Sequence, residues 1–134
     1  MQLIQEIVFN YAKVQLFEGG LIRIEMTSSE KIGLKESKEM NRAVGVLSKG
    51  KEALILMLAD ELASFDKEAM EFSASDEGLK YSIAEAMVVK SITQRLTANL
   101  YLRIVKPKKP SKIFNSEKEA LKWLYALQSN IVPV

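Results

Sequence analysis

Apolar and polar residues alternate from Tyr11 to Phe17 (YAKVQLF) and again from Leu21 to Met26 (LIRIEM). Two period-two segments flanking Gly19-Gly20 predict a β-hairpin. Beyond the polar loop Thr27 to Lys31 the spacing changes. Met40, Ala43, Val44 and Leu47 recur at helical intervals, and Gly50 stands where such a helix would stop. Ala53 to Ala59 (ALILMLA) is apolar throughout, the pattern of a strand covered on both faces, and is expected at the centre of a parallel sheet. Asp60 to Asp66 (DELASFD) leads into a short helix on which Phe65, Ala69 and Phe72 are expected to share a face, before the polar loop Ser75 to Gly78. Ile83 to Val89 (IAEAMVV) reads as a further strand.

Two capping boxes mark later helices. In Ser91-Ile92-Thr93-Gln94 the serine hydroxyl can accept a free backbone N–H while the glutamine reaches back to the cap, and Leu96, Leu100 and Ile104 continue one apolar face until Pro107 ends the helix. Ser116 and Glu119 repeat the device, with Ala120, Trp123, Leu124 and Leu127 on a core-facing stripe. Lys112 to Phe114 is a short strand between the two. The order β-β-α-β-α-β-α-β-α argues for an α/β fold. Its mixed sheet has about five strands, an N-terminal hairpin followed by parallel βα units with right-handed crossovers, packed with about four helices.

Composition narrows the chemistry more than any motif. A chain of 134 residues, 48% hydrophobic and 27% charged, suits one ordinary globular domain spanning 1–134. Its longest apolar stretch falls far short of the roughly 20 residues that span a bilayer. The opening MQLIQEIVFN has no secretory signature, so the expected location is the cytoplasm. The sequence contains no histidine and no cysteine. Thiolate nucleophiles, imidazole bases and the usual zinc ligands are therefore excluded together. The expectation is a non-enzymatic domain with no catalytic residues, no cofactor and no metal.

The element order and the tail KPKKPSKIFNSEKEALKWL, residues 106 to 124, resemble the STAS-type, SpoIIAA-like family of anti-sigma-factor antagonists, in particular its SEC14-like bacterial branch. In that branch a proline-interrupted basic turn leads into a short strand ending in phenylalanine, then a helix with alanine and a Trp-Leu pair. The element order covers nearly the whole chain, and the likeness in sequence runs from about Ile83 to Leu124. The resemblance implies a regulatory module for another protein. The SEC14-like label implies the alternative of a small anionic or lipid-like ligand. Antagonist members carry a phosphorylated serine at the start of the helix after the central strand. The matching stretch here is Ala63 to Glu68, where Asp66 stands for the family's aspartate while Lys67 and Glu68 occupy the positions of the paired serines. Neither side chain takes a phosphate as serine does, which weighs against the switch. Ser64 lies just upstream, and its hydroxyl equally suits a turn or a helix cap.

Two surfaces are candidates for binding. Asp60, Ser64, Asp66 and Lys67 lie beyond the carboxyl end of the expected central strand, where open α/β sheets tend to bind ligands. The acidic residues there match no recognised cation loop, and Asp66 suits a helix cap. The second surface is basic. Ala86 to Ser116 holds seven lysines and arginines and no acid, so that the rest of the chain carries −5 within a total of +2. Arg103, Lys106, Lys108, Lys109 and Lys112 form its densest part. Such asymmetry can steer an acidic protein or an anionic membrane surface. Nucleic acid is disfavoured because only Tyr101 lies among the basic residues as a stacking platform. The structural alternative is that lysines complement a helix C-terminus while the prolines enforce an extended turn. Pairing with a second copy as a homodimer stays open.

Overall fold

The computed structural model describes residues 1–131, with side chains described through Gln128. A six-stranded mixed sheet forms the frame. Its first three strands, β1 (Leu3–Val8), β2 (Ala12–Phe17) and β3 (Ile22–Met26), pair antiparallel. The hairpin between β2 and β3 turns through Gly19 and Gly20, both with φ of +92°, in the left-handed region open to glycine. A two-residue strand β4 (Lys31–Ile32) then leads into helix α1 (Leu34–Leu47).

Strand β5 (Ala53–Leu58) pairs parallel with β3 on one side and with β7 (Ser82–Val88) on the other, the buried central position its continuous apolar run predicts. The two-residue β6 (Ser64–Phe65) and helix α2 (Lys67–Ala74) lie between them in sequence. Helix α3 (Ile92–Val105), edge strand β8 (Ser111–Phe114) and helix α4 (Glu117–Ile131) complete the chain. Strand β8 runs parallel to β7, giving the order β1-β2-β3-β5-β7-β8.

Alternation along each strand divides the core in two. Val14, Ile22, Ile24 and Ile55 meet Met40, Ala43, Val44 and Leu47 of α1 on one face. Leu54, Leu56, Ala84 and Ala86 meet Ala120 and Leu124 of α4 on the other, with the Phe114 and Trp123 rings 5.6 Å apart at that edge.

Three expectations need correction. The sheet has six strands rather than about five, because the N-terminal segment forms β1, whose outward position leaves Leu3, Ile4 and Val8 exposed and removes the usual burial signature. Phe65 does not lie on α2. It belongs to β6, which pairs parallel with β4 through Ile32, and Asp66 begins the helix after it. Leu96, Leu100 and Ile104 share a face as expected, but it is the solvent face: all three are exposed, as is Ile92, and α3 buries no residue fully. The partly buried positions of α3 are Gln94, Ala98, Asn99, Tyr101, Leu102 and Val105.

Candidate ligand cavity

A half-open cavity of about 560 Å³ lies between α3 and the sheet, lined from the helix by Thr93, Gln94, Thr97, Ala98, Tyr101 and Leu102. The floor comes from alternate residues of three neighbouring strands: Ile55 and Met57 of β5, Glu85 and Met87 of β7, Ser111 and Ile113 of β8. Met70 and Ser73 of α2 form one wall, and Ala98 and Tyr101 of α3 lie opposite. The volume falls within the range of about 300–1,000 Å³ typical of small-molecule sites, and the lining surface is mainly apolar, as is usual for such sites.

The first turn of α3 is fastened by Gln94. Its side-chain oxygen accepts the backbone N–H of Ser91 at 3.4 Å, closing a capping box whose other half is the Gln94 N–H donating to the Ser91 hydroxyl at 3.1 Å. Its side-chain N–H₂ donates to the carbonyls of Asp60 at 2.7 Å and Ala63 at 3.0 Å. One amide thus ties the helix start to the loop after β5. At the other end Lys106 adopts a left-handed conformation, φ 46°, immediately before Pro107. The helix stops there because proline disfavours a helical residue before it.

Glu85 is the cavity's unusual residue. It occupies the middle of a central strand, with Ile55 opposite on β5 and Ser111 on β8. Its carboxylate accepts the buried Ser82 hydroxyl at 2.7 Å. Glu85 lines both the cavity and a smaller void on its α1 side. Desolvation pushes its carboxyl up to about 7 against the opposing pulls of the Ser82 hydrogen bond and the Lys109 charge. Lys109 is already committed, pairing with Glu52 and donating to the Leu79 carbonyl at 2.6 Å. The Tyr101 hydroxyl is buried and finds no hydrogen-bond partner among the described residues, and burial raises its titration to about 12.

The residues singled out from sequence lie around this cavity rather than forming one site. Asp60 accepts the Leu62 N–H at 2.9 Å within its turn, and Ser64 borders the cavity from β6. Asp66 caps α2, accepting the Ala69 N–H at 2.8 Å, while Lys67 points to solvent and meets Glu71 at 3.9 Å. The basic segment is divided as well. Arg103 and Lys106 are exposed at the end of α3. Lys108 faces Asp76 at 3.4 Å, and Lys112 holds its ammonium 5.3 Å from the centre of the Phe114 ring, on the α4 side. The run that opens the tail therefore serves as a seam: helix stop, extended turn, edge strand and cap.

Sequence reasoning missed Glu85 and the cavity. The available signal was a lone acid inside IAEAMVV, on a strand otherwise apolar. Among the described residues no three carboxylates gather as a metal site, and no helix is long and apolar enough to cross a membrane.

A family model described as a domain of unknown function, DUF7793, matches residues 15–128, which span β2 to α4 and include every wall of the cavity. The chain belongs to the DUF7793 family. A comparison with curated proteins finds no match. Among solved structures, an uncharacterized protein of the DUF3478 family from Shewanella loihica PV-4, described as having a SpoIIAA-like fold, superposes with a TM-score of 0.57 at 12% identity. The alignment covers 92% of this chain and 98% of that one. The DUF7793 domain thus has a SpoIIAA-like fold, in agreement with the expected family resemblance and with the α/β architecture.

Proposed function

We propose that this DUF7793 domain is a binding module whose cavity takes an amphipathic, lipid-like ligand. The observation that carries this reading is the mainly apolar cavity of about 560 Å³ between α3 and the sheet, to which Glu85 and a Tyr101 hydroxyl without a partner among the described residues bring polar groups. A small residue set inward on α3 and an amide staple at one end keep the chamber open rather than letting the helix close on the sheet. Native mass spectrometry of gently purified protein tests the reading. A reproducible added mass, lost when Ala98→Trp fills the chamber, supports it; a bare chain under the same conditions, together with no uptake of an added apolar dye, overturns it.

A protein partner is a second reading, favoured by the outer face of α3. Ile92, Leu96, Leu100 and Ile104 form an exposed apolar stripe with Arg95 and Arg103 beside it. Contiguous exposed apolar surface of this kind marks interaction sites. Under this reading a Leu96→Asp, Leu100→Asp pair abolishes a co-purifying complex without changing the melting temperature. Asp60, Ser64, Asp66 and Lys67, in the loop after β5 and at the start of α2, are the other proposed partner-binding residues. Retention of the complex by the paired variant would remove α3 from consideration.

A further inference from the structure

The ligand reading can be sharpened by asking which polar end the cavity accepts. Its deepest ionisable group is Glu85, set between Ile55 and Ser111 on the floor. A carboxylate in such surroundings is costly unless a cation pairs with it. Among the described residues no side chain supplies one freely. Lys109, the base whose charge Glu85 feels, is held by Glu52 and the Leu79 carbonyl. Lys112 borders the cavity, yet its ammonium lies over the Phe114 ring on the α4 side. The other acid of the lining, Glu61, is exposed and adds further negative charge. The polar residues that α1 and α2 bring to the small void beside Glu85, Ser37, Asn41 and Ser73, are all neutral. From α3 comes Tyr101, neutral at physiological pH, with a hydroxyl able to accept a hydrogen bond. The Phe65 and Tyr101 rings in the lining add surfaces that favour a cation.

We propose that the cavity selects an apolar ligand carrying a protonated amine, with Glu85 as the carboxylate that pairs with it and the Tyr101 hydroxyl as a second acceptor. This rests on the ligand reading above. An anionic head would meet Glu85 and Glu61 as like charges, so the choice also separates the lipid-like ligand from the anionic one that the family resemblance allows. Binding draws Glu85 into its ionised form and releases its proton to solvent. Affinity for an amine therefore rises with pH until Glu85 is ionised in the free protein, and falls by about tenfold for each unit below that point.

Dodecylamine, dodecanol and dodecanoate share one tail and differ only at the head. Each is titrated, below its micelle concentration, against N-phenyl-1-naphthylamine bound to the full chain. The expected result near neutral-to-alkaline pH is displacement by dodecylamine at a concentration at least about tenfold below that of dodecanoate, a difference equivalent to about 1.4 kcal/mol. In Glu85→Gln the amine loses that advantage while dodecanol is unchanged. A parallel series on the unaltered chain, from about pH 8 to about pH 5.5, narrows the preference without any substitution. If dodecanol displaces the dye but dodecanoate equals dodecylamine, or if Glu85→Gln keeps the amine preference, the assignment of Glu85 fails and the cavity reading stands. If neither dye nor any of the three binds, the cavity reading itself fails, and this assignment with it.

Discussion

Replacing Glu85 by glutamine should change how stability depends on pH, with a sign and size that follow from its position. The carboxyl has an ordinary value of 4.5 and is raised by burial to about 7 in the fold. Between those limits the folded chain keeps a proton that the unfolded chain has lost. Stability is then full below the unfolded value and falls as pH rises through the folded one. At 1.36 kcal/mol per tenfold, the loss by pH 8 amounts to about 3 kcal/mol, a large share of the stability of a domain this size. Glutamine cannot ionise, and its amide oxygen can still accept the Ser82 hydroxyl. Urea unfolding followed by Trp123 fluorescence, at steps from about pH 4.5 to about pH 8, gives both profiles, and their difference isolates Glu85 from every other titrating group. The two proteins should agree at the acid end, and Glu85→Gln should be more stable by about 2–3 kcal/mol at the alkaline end. Parallel profiles across the range would refute the claim that this carboxyl is held desolvated by the cavity.

Gln94→Ala removes two hydrogen bonds to the Asp60 and Ala63 carbonyls and one half of the capping box, and should cost about 1–3 kcal/mol in thermal or urea unfolding; an unchanged midpoint would mean that α3 is not fastened there. Asp66→Ala should cost about 1 kcal/mol through loss of the α2 cap, whereas Lys67→Ala, whose side chain is 88% exposed, should leave stability unchanged within measurement. Gly78→Ala drives a Cβ into the Phe72 carbonyl oxygen, so soluble expression at wild-type yield with an unaltered melting curve would contradict the local backbone path. Leu124→Ala, at a fully buried position under the sheet, should lose about 2–5 kcal/mol.

Most of the frame was legible because burial on one face or both leaves a period in the sequence. The hairpin, the central β5, the α1 stripe and the α4 stripe each lie where alternation or helical spacing puts them, and the Ser91–Gln94 box and the Asp66 cap hold as written. The misses share one physical cause. Strand β1 is an edge strand with most of its residues exposed, so nothing in Leu3 to Val8 had to alternate. Strands β4 and β6 are two residues each and pair only because the chain brings Ile32 beside Phe65. A period shows which residues share a face but not which way that face points, and α3 is where this matters.

That ambiguity is also where the functional reading arises. On α1 and α4 the apolar stripe faces the core and the polar residues face water. On α3 the apolar stripe Ile92, Leu96, Leu100 and Ile104 faces water, while Gln94, Ala98, Tyr101 and Leu102 line the cavity. With no fully buried residue, α3 is fastened at one end by the Gln94 amide and stops at Lys106–Pro107 at the other. A floor strand that carries Glu85 in place of another alanine or valine gives up packing at the same spot. Both departures from local consistency, Glu85 on the floor strand and the outward apolar stripe of α3, border one cavity. Breaks of this kind are expected at functional or strained sites.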